Sequence, residues 1–76
     1  MVTIDRELNA TGLRCPLPLL KAKQLLASME SGQVLCVKAT DQGSVADFKA
    51  YCELSGHKLL SSSQEAEVYI HILQKA

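Results

Sequence analysis

Tryptophan is absent, phenylalanine occurs once and tyrosine twice in the 76 residues. The chain therefore lacks the aromatic platform on which single-stranded nucleic acid stacks. Charge of one sign is lacking too, because eight basic and eight acidic residues cancel. That balance leaves no electrostatic footprint for a phosphate backbone and argues against direct nucleic-acid binding. No apolar run approaches the length of a membrane span, and Met1-Val2-Thr3-Ile4-Asp5 lacks the basic, apolar and cleavage regions of a targeting segment. Three cysteines without a pairing pattern argue against a secreted disulfide scaffold and for a reducing compartment, which we read as cytoplasmic, without a membrane partner. Neither Cys-x-x-Cys nor His-x-x-x-His spacing occurs, so no metal site and no cofactor is expected. What remains is 47% hydrophobic with only four glycines, the composition of an ordered globular protein and, at this length, of a single domain over residues 1–76.

The two prolines both stand in Thr11-Gly12-Leu13-Arg14-Cys15-Pro16-Leu17-Pro18. Proline suits the first helical turn because its φ is fixed and its missing N–H had no intrahelical partner. Cys15 thus reads as the N-cap, with Pro16 at the first helical position and the Leu17 N–H as the main donor left to meet the sulfur. Serine, threonine, aspartate or asparagine would cap better, so a cysteine here suggests a chemical use for a thiolate at the positive end of a helix dipole.

Along the chain, Val2, Ile4 and Leu8 mark a first strand at about residues 2–8, by their alternation with polar residues. Asn9 to Gly12 then reads as a turn, with Gly12 free to take a positive φ. From Pro16 to about Met29 the period is helical, and Leu19, Ala22, Leu25, Leu26 and Met29 share the core face. Leu17 and Leu20 fall on the opposite side and are expected to be exposed as a docking patch beside the cysteine. Ser31-Gly32 stops that helix, Val34–Ala39 is a buried second strand, and Asp41-Gln42-Gly43-Ser44 is a turn. Ser44 and Asp47 form a capping-box-like start to a second helix whose face carries Val45, Phe48, Tyr51 and Cys52 and which ends at Gly56. His57–Ser61 is a weak third strand and Val68–Leu73 a strong fourth, joined by a polar turn over Ser61–Glu65 and paired antiparallel. The order β-α-β-α-β-β predicts an α/β (α+β) two-layer sandwich, a four-stranded mixed sheet with both helices on one face. A helical crossover makes the first two strands parallel, so the loops carrying Cys15 and Asp41–Ser44 meet at their carboxyl ends. The other sheet face is left uncovered, with Cys36 and some of Tyr69, His71 and Leu73 as its candidate residues. For Cys36 and Cys52 themselves a buried apolar role is favoured.

An ordinary thiol is only about 3% ionised at pH 7, and a helix N-terminus worth about 0.3–2 kcal/mol, helped by Arg14, would make Cys15 partly thiolate. A redox dithiol would want a second cysteine where Pro18 stands, and neither His57 nor His71 can be brought to Cys15 as a base from the sequence. A lone activated cysteine suits a carrier that receives and passes on a group under the control of partners. A non-catalytic interaction module and a thiol redox sensor are the alternatives.

Gly12-Leu13-Arg14-Cys15-Pro16-Leu17-Pro18, the amphipathic helix after it, Gly32-Gln33-Val34-Leu35, Asp41-Gln42-Gly43-Ser44 and Gly56-His57-Lys58-Leu59-Leu60 in that order resemble the TusA/SirA sulfur-carrier family. The resemblance spans nearly the whole chain. It implies a two-layer sandwich whose cysteine, Cys15 by match to the motif, carries a persulfide sulfur with little independent turnover. It further implies a cysteine desulfurase or rhodanese-like sulfur donor and a sulfur-acceptor protein, in relays towards tRNA thiolation, sulfur oxidation or cofactor assembly. Family members often have aspartate where this chain has Asn9, proline where it has Gln42 and, in the tRNA-thiolation branch, an acidic residue where it has Leu17. These departures leave the cysteine chemistry intact and give a more apolar docking surface.

Overall fold

A computed structural model describes residues 3–76. The elements are β1 (Arg6–Ala10), α1 (Leu17–Ala27), β2 (Val34–Ala39), α2 (Ser44–Ser55), β3 (Lys58–Glu65) and β4 (Val68–Gln74). The strands form one sheet in the order β1-β2-β4-β3. β1 and β2 run parallel, whereas β4 is antiparallel to both of its neighbours. Both helices lie on one face, so the expected two-layer α+β arrangement is the one the chain adopts.

The core is the seam between those layers. Ala22 and Leu26 of α1, with Met29 just beyond it, and Phe48 and Cys52 of α2 pack on Ala10, Leu35, Val37 and Leu73 of the sheet. Leu19 and Leu25 border this core as half-buried residues, and α1 additionally buries Pro18. α1 ends two residues earlier than its apolar period, because Ser28 turns back to the Leu25 carbonyl through both its N–H (3.1 Å) and its Oγ (2.8 Å). α2 ends where expected: Gly56 takes φ +85°, a left-handed conformation that suits glycine, and its N–H closes on the Cys52 carbonyl at 3.1 Å. No helix among the described residues is long and apolar enough to cross a membrane.

Besides the end of α1, two strand boundaries and the capping of α2 differ from the sequence reading. The first strand runs later than residues 2–8, because its register is set by β2: Arg6 pairs with Leu35 and Ala10 with Ala39. Ala10, expected in a turn, is thereby wholly buried, and Val2 lies outside the described residues. β3 continues through the serines, leaving only Ala66 and Glu67 as the hairpin loop, with Ala66 at φ +53°. Pairing to the apolar β4 overrides the turn preference of serine, and the strand admits one irregularity between Leu59 and Ser61. α2 begins without a side-chain cap, because the Ser44 hydroxyl is turned inwards to His71 Nε2 (3.0 Å).

The uncovered sheet face also differs in content. Leu73 belongs to the helix-side core and His71 stacks on Phe48 at 4.8 Å. Strand alternation puts Tyr69 on that same side. Cys36, in the row Glu7–Cys36–Ile72, faces away from the helices. It is nevertheless buried among its neighbours in the sheet, while Cys52 is a core residue.

Candidate functional site

Parallel β1 and β2 end side by side, and the loops that leave them are tied together. The Gly12 N–H donates to Thr40 Oγ1 at 2.9 Å, with Gly12 at φ +81°, and the Cys15 N–H donates to Asp41 Oδ2 at 3.1 Å. Asn9 holds the start of the first loop by accepting from the Thr11 N–H (3.1 Å) and hydroxyl (2.6 Å). The Cys15 side chain is exposed, and its Sγ donates to Asp47 Oδ2 in the first turn of α2. Gly43 completes the wall. A Cβ there would lie 3.0 Å from Asp41 Oδ2, 3.4 Å from Cys15 Cβ and 3.6 Å from Cys15 Sγ.

Cys15 is not the helix N-cap. Pro16 holds that position, and the Leu17 N–H donates to the Arg14 carbonyl at 2.8 Å, closing a reverse turn ahead of α1. The donor expected to meet the sulfur is thus satisfied by backbone, and the thiol is hydrogen-bonded across to α2 instead. Its electrostatics change sign accordingly. The Cys15 thiol is pushed from 9.0 up to about 11, first by the hydrogen bond to Asp47, then by desolvation and by the charges of Asp47 and Asp41. A carboxylate that accepts the S–H proton favours the neutral form and repels the thiolate. Arg14 is exposed, and what it brings to the turn is its carbonyl.

Leu17 and Leu20 are exposed at 45% and 44%, as the helical period requires. Val45, expected on a core face, joins them as an exposed apolar side chain. Neither histidine is the partner of the sulfur. His71 is fully buried with its ring nitrogens engaged by Ser44 and Ser62, and His57 Nδ1 accepts from the Ala76 N–H. The residues that sequence reasoning missed are Thr40, Asp41, Gly43 and Asp47. The only signal for them is the topology, which brings the loop at residues 40–43 to the cysteine; the sequence reading gives Asp47 a capping role at the start of α2 and no contact with the sulfur.

A family model described as sulfurtransferase TusA matches residues 6–75. The chain belongs to the TusA family. It is 47% identical to the sulfur carrier protein TusA of Allochromatium vinosum over 76 residues, which is 100% of both chains. Among solved structures, a SirA-like protein from Desulfitobacterium hafniense shares the fold with a TM-score of 0.81 at 24% identity, over 91% of this chain and 95% of that one. TusA-family membership agrees with the resemblance carried by Gly12 to Pro18 and the later motifs.

Proposed function

We propose that this TusA-family chain is a sulfur carrier that holds a sulfane sulfur as a persulfide on Cys15. The observation that carries this reading is an exposed thiol where two loops meet at the carboxyl ends of parallel strands, within a chain 47% identical throughout to a named sulfur carrier. In the proposed step, Cys15 Sγ loses its proton and bonds to the terminal sulfur of a donor persulfide. The donor's S–S bond breaks, its electron pair leaves on the donor cysteine, and that cysteine takes up a proton. Thiol and persulfide exchange without net oxidation. Delivery repeats the exchange: the acceptor bonds to the terminal sulfur and Cys15 leaves as the thiol.

A cysteine desulfurase or a rhodanese-like protein is the proposed donor, a second protein the acceptor, and the cytoplasm the compartment. The apolar side chains of Leu17 and Leu20 supply the docking surface, with exposed Arg14 beside the sulfur available to a partner. Intact mass after incubation with a cysteine desulfurase and cysteine tests the reading. One added sulfur atom, removed by a thiol reductant, is expected in the wild type and in a Cys36→Ser/Cys52→Ser variant and is expected to be lost in Cys15→Ser. Failure of the folded, reduced wild type to gain sulfur from that donor and from inorganic polysulfide would remove the carrier role.

A further inference from the structure

Sulfur transfer needs a thiolate, yet the group bonded to the Cys15 sulfur is an anion. Asp47 Oδ2 accepts the Sγ proton from the first turn of α2, and Asp41, from the loop between β2 and α2, accepts the Cys15 N–H at 3.1 Å. Gly43 has no side chain to separate these groups. The neighbouring cation, Arg14, is exposed, and among the described residues the charges bearing on the sulfur are these two carboxylates. An acid in the first turn of α2 complements the helix dipole wherever its side chain points. Its placement on the sulfur is therefore a separate feature.

We propose that Asp47 is a gate on Cys15: its carboxylate keeps the proton on Sγ in the free protein, and the reactive thiolate forms when a docked sulfur donor or acceptor draws Asp47 off the sulfur or neutralises it. This rests on the carrier reading for its purpose. A carrier that meets many small disulfides and oxidants between partners gains selectivity from a sulfur that is inert until docked. The gate costs no catalysis of its own, because Asp47 neither bonds to the travelling sulfur nor leaves with it; it is a positioning residue acting through Cys15.

The test is the pH dependence of the reaction of Cys15 with 4,4′-dithiodipyridine, a neutral disulfide on which a lost carboxylate exerts no direct charge effect. The Cys15→Ser trace is subtracted to remove the other cysteines. In the wild type the rate is expected to climb towards about pH 11, and in Asp47→Asn to level off at a lower pH that still lies above the ordinary 9.0, because desolvation and the Asp41 charge remain. Near neutral pH this fall gives at most about a hundredfold more thiolate, of which lower nucleophilicity takes back up to about tenfold, so Asp47→Asn should react severalfold and at most about tenfold faster. Asp41→Asn, which touches the Cys15 N–H and not Sγ, should shift the profile less. Asp47→Ser gives the same reading if the asparagine variant does not fold. An unchanged or slower Asp47→Asn profile in folded protein, or a shift in Asp41→Asn as large as that in Asp47→Asn, would overturn the gate. Because the probe reports thiol ionisation and no sulfur transfer, the outcome is independent of the mass measurement: sulfur loading with an unshifted profile removes the gate and leaves the carrier.

Discussion

Gly43 has an αR backbone, φ −65° and ψ −18°, that alanine would adopt without strain. Its value lies in the room it leaves for Cys15 and Asp41. Gly43→Ala is expected to change stability by no more than about 1 kcal/mol, and hence Tm by no more than about 8 °C. The same methyl group should slow loading of Cys15 from a persulfide donor severalfold, by pushing on the Asp41 carboxylate and covering the sulfur. A thermal melt and a loading time course separate the two effects, and loading at the wild-type rate would show that the space is not needed. At this scale the sequence was informative about Cys15, because two prolines and a glycine confine it to one loop. It was uninformative about the sign of its electrostatics. Asp47 lies 32 residues away in sequence, and a single hydrogen bond from the Cys15 loop to the first turn of α2 outweighs the local expectation drawn from the helix dipole.

Among the elements, α1, α2, β2 and β4 were legible because each carries a sustained apolar period or a β-branched run. β3 was misjudged in extent because Ser61, Ser62 and Ser63 have turn chemistry and acquire strand structure only from the register with β4. One of them has a specific partner. Ser62 Oγ lies 2.9 Å from His71 Nδ1, and Ser44 Oγ lies 3.0 Å from His71 Nε2. A neutral imidazole donates through one nitrogen and accepts through the other, and two rotatable hydroxyls satisfy either tautomer. This joins β3, β4 and the start of α2 around a ring stacked on Phe48. Ser44 is buried, so Ser44→Ala should strand a nitrogen and cost about 1–3 kcal/mol. Ser62 is exposed to water that can replace it, so Ser62→Ala should cost less than about 1 kcal/mol. Urea denaturation of the two variants checks the order, and equal losses would contradict it.

For the whole molecule, the topology was readable because a helical crossover forces β1 and β2 parallel and the hairpin forces β3 and β4 antiparallel. The side of the sheet taken by His71 was not readable, since an alternating strand fixes two faces without saying which is covered. That side matters for acid stability. Burial holds His71 below its ordinary 6.5, and burial with the Lys75 charge does the same for His57. The unfolded chain therefore binds more protons than the folded one once the pH falls below about 6.5. Stability should be level between about pH 6.5 and 7.5 and decline below that range as the pH falls through the folded values, by at most about 1.4 kcal/mol per pH unit for each histidine. Urea midpoints between about pH 7.5 and 5.5 test this, and a flat profile would contradict it.

The strand order β1-β2-β4-β3 also bears on how the molecule is made. β2 finds its second neighbour only in β4, and α2 packs on β3 and β4 as well as on α1. A nascent chain that has released Cys15 and Asp47 from the ribosome still lacks the hairpin that seats α2. Until residues 68–74 pair with β2, α2 lacks a strand it packs on, and the contact of Asp47 with Cys15 should not be held. Docking of the β3–β4 hairpin is therefore the step that should place the carboxylate against this cysteine.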